Sequence, residues 1–315
     1  MKRVLSLHKM SVALLSSLFL SALSFAASDS ISNADELMAH HVDSLGDAKA
    51  RANCKTRVAQ GTAEFKILVG GAGVLDGKSV LVSDGPKLHF MMKFPNNDYR
   101  GEQFIFNGDK TEVSASTAQQ ARSALGSFVY VQDAVLREGL WGGTLSTAWP
   151  LLDLEKRKAK VSFGGLKKID GQDLYELRYR PKKSTDLEIY LYFDPETYRH
   201  VLTVYSLSVQ AGLGNITQPG TGNGLPSPGT MDNPAGTSAG VSNETASARQ
   251  QQIRYRLEEH FSDFKTADGL TLPTHYVIHF TQEQQSGRTT VSEWTIQTSD
   301  VQNNTPLDPR NFNVK

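Results

Sequence analysis

The sequence predicts a mainly β (α+β) protein, built on one curved antiparallel sheet of about 11–12 strands with an N-terminal helix and a helical covering segment. Three observations support this fold class. Apolar and polar side chains alternate in many short runs, as at residues 187–193. Tight-turn pairs such as Asp170-Gly171 separate the runs, which favours antiparallel hairpins. One stretch near the middle of the chain, residues 116–140, has helical spacing instead.

The first 26 residues have the features of a secretory signal peptide. Three basic residues precede an apolar run at residues 11–25, and the small side chains of Ser24 and Ala26 fit cleavage after Ala26. The run is too short for a comfortable membrane span, and no Cys follows it to accept a lipid. We therefore expect a soluble, exported protein with a signal peptide at residues 1–26 and a single domain at residues 27–315.

Charge and cysteine content exclude some function classes. Removal of the signal peptide takes three basic and no acidic side chains from the 33 of each sign, so the remaining chain is slightly acidic and no nucleic-acid partner is expected. Cys54 is the single cysteine, so an intramolecular disulfide is impossible. We expect Cys54 to be a passive, partly buried side chain.

A helix is predicted directly after the signal peptide. Ser32 or Asn33 can cap it, and its apolar stripe runs to about Gly46. His40 and His41 are adjacent on this helix and point in different directions, so they cannot easily share a metal. We expect both to be surface histidines.

Strands are predicted on both sides of the helical stretch. The first group lies at residues 62–69, 80–82, 87–94, 104–106 and 110–113, and the second at 158–163, 175–180, 187–193, 253–258, 276–280 and 290–296. Asn107-Gly108 and Asp268-Gly269 are further hairpin signals. Residues 210–250 are rich in Gly, Ser, Thr, Asn and Pro and cannot bury enough apolar surface to offset their ordering entropy. This insertion is predicted to be a flexible loop.

The helical stretch is the candidate lid. Residues 116–125 are rich in Ala and Gln and predict a helix, and helical spacing continues until Gly142-Gly143. The large apolar residues assigned to the lid are Val131, Val135, Leu136, Leu140 and Trp141. The segment either covers a cavity or packs on the sheet as ordinary core, and the sequence leaves both alternatives open.

Three runs resemble the outer-membrane lipoprotein-sorting (LolA-like) superfamily. They are DGQDLYELRYRPK at residues 170–182, LEIYLYFDPET at 187–197, and FSDFKTADGLTLP at 261–273. These are hairpin signatures, and the resemblance covers most of the chain after the signal peptide. It implies a half-barrel with a helical lid that binds acyl chains in the periplasm without a cofactor. The family commonly has Arg before the Pro of one strand, where this chain has Gly85-Pro86.

No catalytic or metal-binding pattern stands out in the sequence. Residues 236–240 match the nucleophile-elbow pattern of hydrolases, but low-complexity sequence flanks them where the motif needs a strand and a helix. His275 and His279 are four residues apart, which on a strand separates them by about 13 Å, too far for one zinc ion. We expect no enzyme activity, no catalytic residue, no metal and no cofactor.

The sequence therefore favours a periplasmic carrier or chaperone that binds lipoprotein acyl chains or another lipid and moves them toward the outer membrane. The residues expected to line or support its apolar cavity are Phe65, Phe90, Met92, Phe104, Leu177, Leu191 and Phe193. It would act as a monomer with membrane sorting components at the inner and outer membranes. The alternatives are an envelope sensor of mislocalised lipoproteins on the same fold, or an enzyme on a related barrel.

Overall fold

A computed structural model describes residues 31–117, 120–211 and 251–314 of the chain. The side chains of Gln210, Ala211 and Gln251 are not described. The predicted signal peptide and most of the predicted insertion at residues 210–250 lie outside the described residues.

The described residues form one antiparallel sheet of 12 strands, which confirms the predicted fold class. The strands are β1 (Thr56–Val69), β2 (Val74–Asp84), β3 (Lys87–Lys93), β4 (Glu102–Phe106), β5 (Thr111–Ala115), β6 (Lys160–Ile169), β7 (Gln172–Arg180), β8 (Glu188–Phe193), β9 (His200–Ala211), β10 (Gln251–Ala267), β11 (Leu270–Gln284) and β12 (Thr289–Asn303). Their order is β5-β4-β3-β2-β1-β12-β11-β10-β9-β8-β7-β6. The first and last strands are thus neighbours in the sheet, and β5 and β6 are its edges.

The predicted tight turns set the register of the hairpins. Asp170 and Gly171 have φ values of 50° and 87°, and Asp268 and Gly269 have 53° and 75°. Positive φ at both central residues is typical of the turn that matches the twist of antiparallel strands. The pairs that flank these turns are Ile169 with Gln172 and Ala267 with Leu270.

Ring contacts show that the sheet is strongly curved. Phe90 lies on β3 and Tyr276 on β11, four strand spacings away, which would be about 19 Å in a flat sheet. Their ring centroids are only 6.0 Å apart. The face that carries these two rings is therefore concave, and we call it the inner face. Because side chains alternate along a strand, the inner face of β10 carries Leu257, Glu259 and Phe261, and its outer face carries the residues between them.

Two helices precede the sheet. The first, α1 (Ala34–Ser44), is capped by Asn33, whose Oδ1 accepts the Glu36 N–H at 2.9 Å, as the sequence predicted. The second, α2 (Ala48–Asn53), was not predicted and begins after Asp47. Cys54 follows it and is partly buried, in agreement with its predicted position.

The helical stretch between β5 and β6 is shorter and more broken than predicted. It contains α3 (Ala124–Val131), α4 (Ala134–Arg137), two 3₁₀ turns at Gly143–Leu145 and Pro150–Leu152, and α5 (Leu154–Arg157). We call residues 124–157 the cover segment.

The predicted helix at residues 116–125 is wrong, because α3 begins only at Ala124. Upstream, polar groups bind the connection between β3 and β4 instead of forming helical bonds. The Ser116 N–H donates to Gly101 O at 2.9 Å, and Gln120 Oε1 accepts the Arg100 N–H at 3.1 Å. These contacts override the helix propensity of Ala and Gln.

Candidate functional site

Six of the seven residues predicted to line a cavity are buried on the inner face. They are Phe90, Met92 and Phe104 on β3 and β4, and Leu177, Leu191 and Phe193 on β7 and β8. The structure therefore places them in two groups on the two halves of the curved sheet. Phe65 on β1 is only partly buried, and its ring lies 5.1 Å from that of Trp294. Their role in ligand binding stays a prediction.

Four of the five predicted lid residues contact the interior. Val135, Leu136, Leu140 and Trp141 are fully buried in the cover segment, whereas Val131, the last residue of α3, is 57% exposed. Phe128 on the same helix packs toward the sheet, with its ring centroid 5.3 Å from that of Phe280. The underside of the cover segment is therefore apolar.

Trp141 is a cover residue that packs on the aromatic side chains of the inner face. Its ring stacks on Phe104 with centroids 4.7 Å apart and lies 6.1 Å from Phe90. Gly139 and Gly142 on either side of it have φ values of 69° and 76°, which L side chains rarely adopt. The chain can therefore turn sharply on both sides of this indole.

The indole N–H of Trp141 is buried and has no acceptor within the described part of the chain. Thr144 Oγ1, three residues later, is also buried without a described partner. A buried polar group without a hydrogen bond costs roughly 1–3 kcal/mol, so such groups are rare and call for an explanation. These two lie at the boundary between the cover segment and the sheet.

A buried carboxylate holds the cover segment to β10. Glu259 is fully buried, and its Oε1 accepts the backbone N–H of Gly142 at 2.8 Å. Tyr205 and Tyr276 also donate to it, at 2.6 and 2.5 Å. Burial raises the pKa of Glu259 to about 7, against the opposing effect of these three hydrogen bonds.

A second polar contact joins the cover segment to α1, and it corrects the prediction that His40 and His41 are both surface residues. His41 is fully buried, and its Nε2 accepts from Trp149 Nε1 at 2.9 Å. Its Nδ1 lies 3.0 Å from Tyr198 O, which requires the ring proton on Nδ1. Burial lowers the pKa of His41 to about 4, and the bond to Tyr198 O acts in the opposite direction. His40 is exposed, as predicted, and stacks on Tyr198.

A third contact comes from Arg57 on β1. Its side chain is buried, and Nη1 donates to Thr144 O at 2.9 Å. Nε donates to Asn303 Oδ1 at 2.9 Å. Burial lowers the pKa of Arg57. The cover segment is thus joined to β1, β10 and α1 by separate hydrogen bonds within residues 142–149.

Sequence reasoning missed Glu259, His41 and Trp149 as members of one site. Alternation along β10 does place Glu259 on the apolar face, since Leu257 and Phe261 flank it, so this residue could have been found. The hydrolase-like pattern at residues 236–240 lies outside the described residues. Within residues 31–117, 120–211 and 251–314, the helices are too short or too polar to cross a membrane.

No protein-family model matches the sequence, and no curated protein matches it. Solved structures do show similarity. A LolA superfamily protein of Nitrosomonas europaea is 13% identical with a TM-score of 0.42, and the match covers 90% of this chain and 99% of that one. An outer membrane lipoprotein-sorting protein domain of Vibrio parahaemolyticus is 13% identical with a TM-score of 0.41, covering 88% and 95%.

A further structural match is MucB of Pseudomonas aeruginosa in its complex with MucA. It is 11% identical with a TM-score of 0.23, covering 87% of this chain and 100% of that one. The LolA-like proteins that the sequence was expected to resemble are therefore among the solved structures to which this chain is similar. At these identities and TM-scores, the likeness carries no conclusion about what the chain binds.

Proposed function

We propose that this protein is a periplasmic carrier that binds the acyl chains of lipoproteins, or another lipid, between the inner face of its sheet and the cover segment. The observation that carries the proposal is the buried indole N–H of Trp141, which has no acceptor among the residues described. An acyl ester or amide offers a carbonyl acceptor next to a long apolar chain. Such a ligand would satisfy the indole N–H while it replaces the apolar contacts around it.

The contacts of the cover segment fit a displacement of Trp141. The ring is held by Phe90 and Phe104, so moving it away exposes aromatic surface that an acyl chain can cover. Residues 142–149 stay joined to the rest of the fold through Glu259 and His41. The part that moves would therefore be the Trp141 side chain, because α3 and α4 have polar bonds of their own, from Ser123 to Glu102 and from Tyr179 to Glu138.

The free energies of burial favour replacing the contacts of Trp141 by those of an acyl chain. Leaving a large apolar side chain exposed costs about 1.5–3 kcal/mol, so displacing Trp141 costs about that much. Burying an acyl chain gains about 0.8 kcal/mol per methylene, so a chain of about a dozen methylenes gains on the order of 10 kcal/mol before the entropy of association. A long acyl chain can offset the opening, whereas a short one cannot.

The test compares two tryptophan variants with the same truncation. Wild-type protein is titrated with a long-chain fatty acid that carries an environment-sensitive fluorophore. We expect saturable binding, and about 5–10-fold weaker binding for Trp141→Phe, because one hydrogen bond is worth about 1 kcal/mol. Trp149→Phe is the matched control. It loses the bond to His41, so it should lower stability while leaving affinity within about twofold.

Two outcomes would count against the proposal. Absence of saturable binding by wild-type protein would remove the acyl-binding function. Equal weakening by Trp141→Phe and Trp149→Phe would remove the role given to the Trp141 N–H.

Acyl binding is shared by a carrier and by a sensor of mislocalised lipoproteins, so transfer of the fluorescent ligand to acceptor vesicles is measured as well. A carrier releases the ligand to them.

A further inference from the structure

The outer face of the sheet carries a second cluster of polar side chains, on the side away from the cover segment. An open groove of about 830 Å³ runs over β1, β12, β11 and β10 toward the β6–β7 turn. His260, His275 and His279 line it together with Glu293 and Asp170. The proposed acyl site uses none of these residues.

Strand register brings three potential ligand residues together in this groove. Glu258 on β10 pairs directly with His279 on β11, and His260 follows two residues later on the same face of β10. One potential ligand atom from each of these three residues lies within 4.8 Å of the other two. In a tetrahedral site with bonds of about 2.0–2.1 Å, ligand atoms are roughly 3.3 Å apart, so small side-chain rotations would close the cluster around an ion.

His260 provides an independent sign of a ligand. Its Nε2 is buried and has no hydrogen-bond partner in the described ranges. The ring lies 5.1 Å from that of His279, with planes inclined by 60°. A buried imidazole nitrogen without a partner, on a ring beside a carboxylate and a second imidazole, is more easily explained by a cation than by chance.

Glu293 on β12 extends the cluster to a third strand. It pairs directly with His279, and its Oε2 lies 2.7 Å from His279 Nε2. If a metal binds Nδ1, Glu293 accepts the other ring N–H, as carboxylates usually do behind zinc-bound histidines. If a metal binds Nε2, Glu293 becomes a fourth ligand. Arg256 contacts Oε1 of Glu258, so coordination would use Oε2.

We propose that Glu258, His260 and His279 form a binding site for a divalent transition metal, zinc above all, with Glu293 supporting His279. Two imidazoles and a carboxylate are the usual ligands of zinc sites that keep an open coordination position. The open position would face the groove, where a carboxylate or imidazole of a partner could complete the site. The ion would also join β10 to β11 on the face opposite the cover segment.

The test measures zinc binding by the tag-free chain. Metal-free wild-type protein is titrated with zinc by calorimetry, and cobalt is used separately to record the visible absorption of the site. We expect one zinc per chain and a cobalt spectrum typical of four-coordinate nitrogen and oxygen ligands. His260→Ala and His279→Ala should each weaken zinc binding by at least about tenfold. Glu293→Gln should weaken it by about 10–100-fold if it orients His279.

Two variants outside the cluster serve as controls for zinc binding. His275 lies on the same strand and in the same groove as His279 but outside the cluster, so His275→Ala should change zinc affinity by less than about twofold. Cys54→Ser should also leave it unchanged, since this thiol lies by Arg57 and Asn303. Absence of zinc binding by wild-type protein would overturn the proposal without any variant. So would equal loss for His275→Ala and His260→Ala. The acyl-binding assay is independent of both outcomes.

Discussion

Acid should weaken this fold through His41. The ring is buried as a neutral acceptor for Trp149, and its pKa in the folded state is about 4 against about 6.5 in an unfolded chain. The unfolded state therefore binds a proton first as the pH falls. Stability contributed by neutral His41 is complete above about pH 6.5 and is lost between about pH 6.5 and 4, with little further loss below.

The size of the effect follows from the two pKa values. A difference of about 2.5 units at 1.36 kcal/mol per unit amounts to about 3 kcal/mol. The variant His41→Gln removes the titration and keeps an acceptor oxygen for Trp149, but it loses the bond to Tyr198 O. We expect it to be about 1 kcal/mol less stable than wild type at pH 8 and about 2 kcal/mol more stable at pH 4.

The assay is urea unfolding, followed by tryptophan fluorescence, at several pH values between 8 and 4. Other titrating groups are common to both proteins. His200, whose ring lies 6.5 Å from that of His41, is affected by a charge on His41 only when the folded state protonates it near pH 4, so above that pH the difference between the unfolding free energies reports His41. The two curves should cross between about pH 5 and 6. His40→Gln alters the exposed neighbour and should show no such crossing. A difference that stays constant from pH 8 to pH 4 would refute the reasoning.

Three further predictions concern packing, the insertion and a close backbone contact. Met92→Trp should lower the unfolding free energy by about 1–3 kcal/mol, because Met92 is fully buried beside Phe90, and a chain that keeps its stability would contradict this packing. Replacing residues 214–246 by a short Gly-Ser linker should leave the melting temperature nearly unchanged, since closure entropy grows slowly with loop length; a loss of several degrees would speak against it. Gly46→Ala should cost more than about 2 kcal/mol by urea unfolding, because φ is 114° and a Cβ would lie 2.1 Å from a backbone oxygen. Gly85→Ala, with open space around it, is its control, and equal costs would show that the contact is unimportant.

Local rules predicted the sheet well because turn chemistry sets strand register. Counting back from the Asp268-Gly269 turn pairs Glu258 with His279, so these two members of the outer-face cluster could be predicted to be neighbours from the sequence. His275 and His279 are four residues apart on β11, whereas Glu258 lies opposite His279 on the neighbouring strand. Cross-strand pairs are closer than residues four apart on one strand.

Predictions failed where distant segments decide the outcome. His41 is buried because Trp149, more than one hundred residues away in the chain, donates to it. The start of α3 is set by Glu102, whose carboxylate accepts the N–H of Ser123 at 2.7 Å and its hydroxyl at 2.6 Å. Neither contact has a local sequence signal, because each depends on how the cover segment lies over the sheet.

The pairing of β1 with β12 has a consequence for the order in which the chain can assemble. Strands β1 to β5 and β6 to β12 each pair with their neighbours in sequence, so two separate meanders can form early. Only the β1–β12 ladder joins them within the sheet, from Arg57 with Asn303 to Val69 with Val291. Until the last strand leaves the ribosome, β1 has one unpaired edge, which is open to chaperones or to mispairing with another chain. Completion of the sheet must therefore wait until β12 has been synthesised, more than 230 residues after the start of β1.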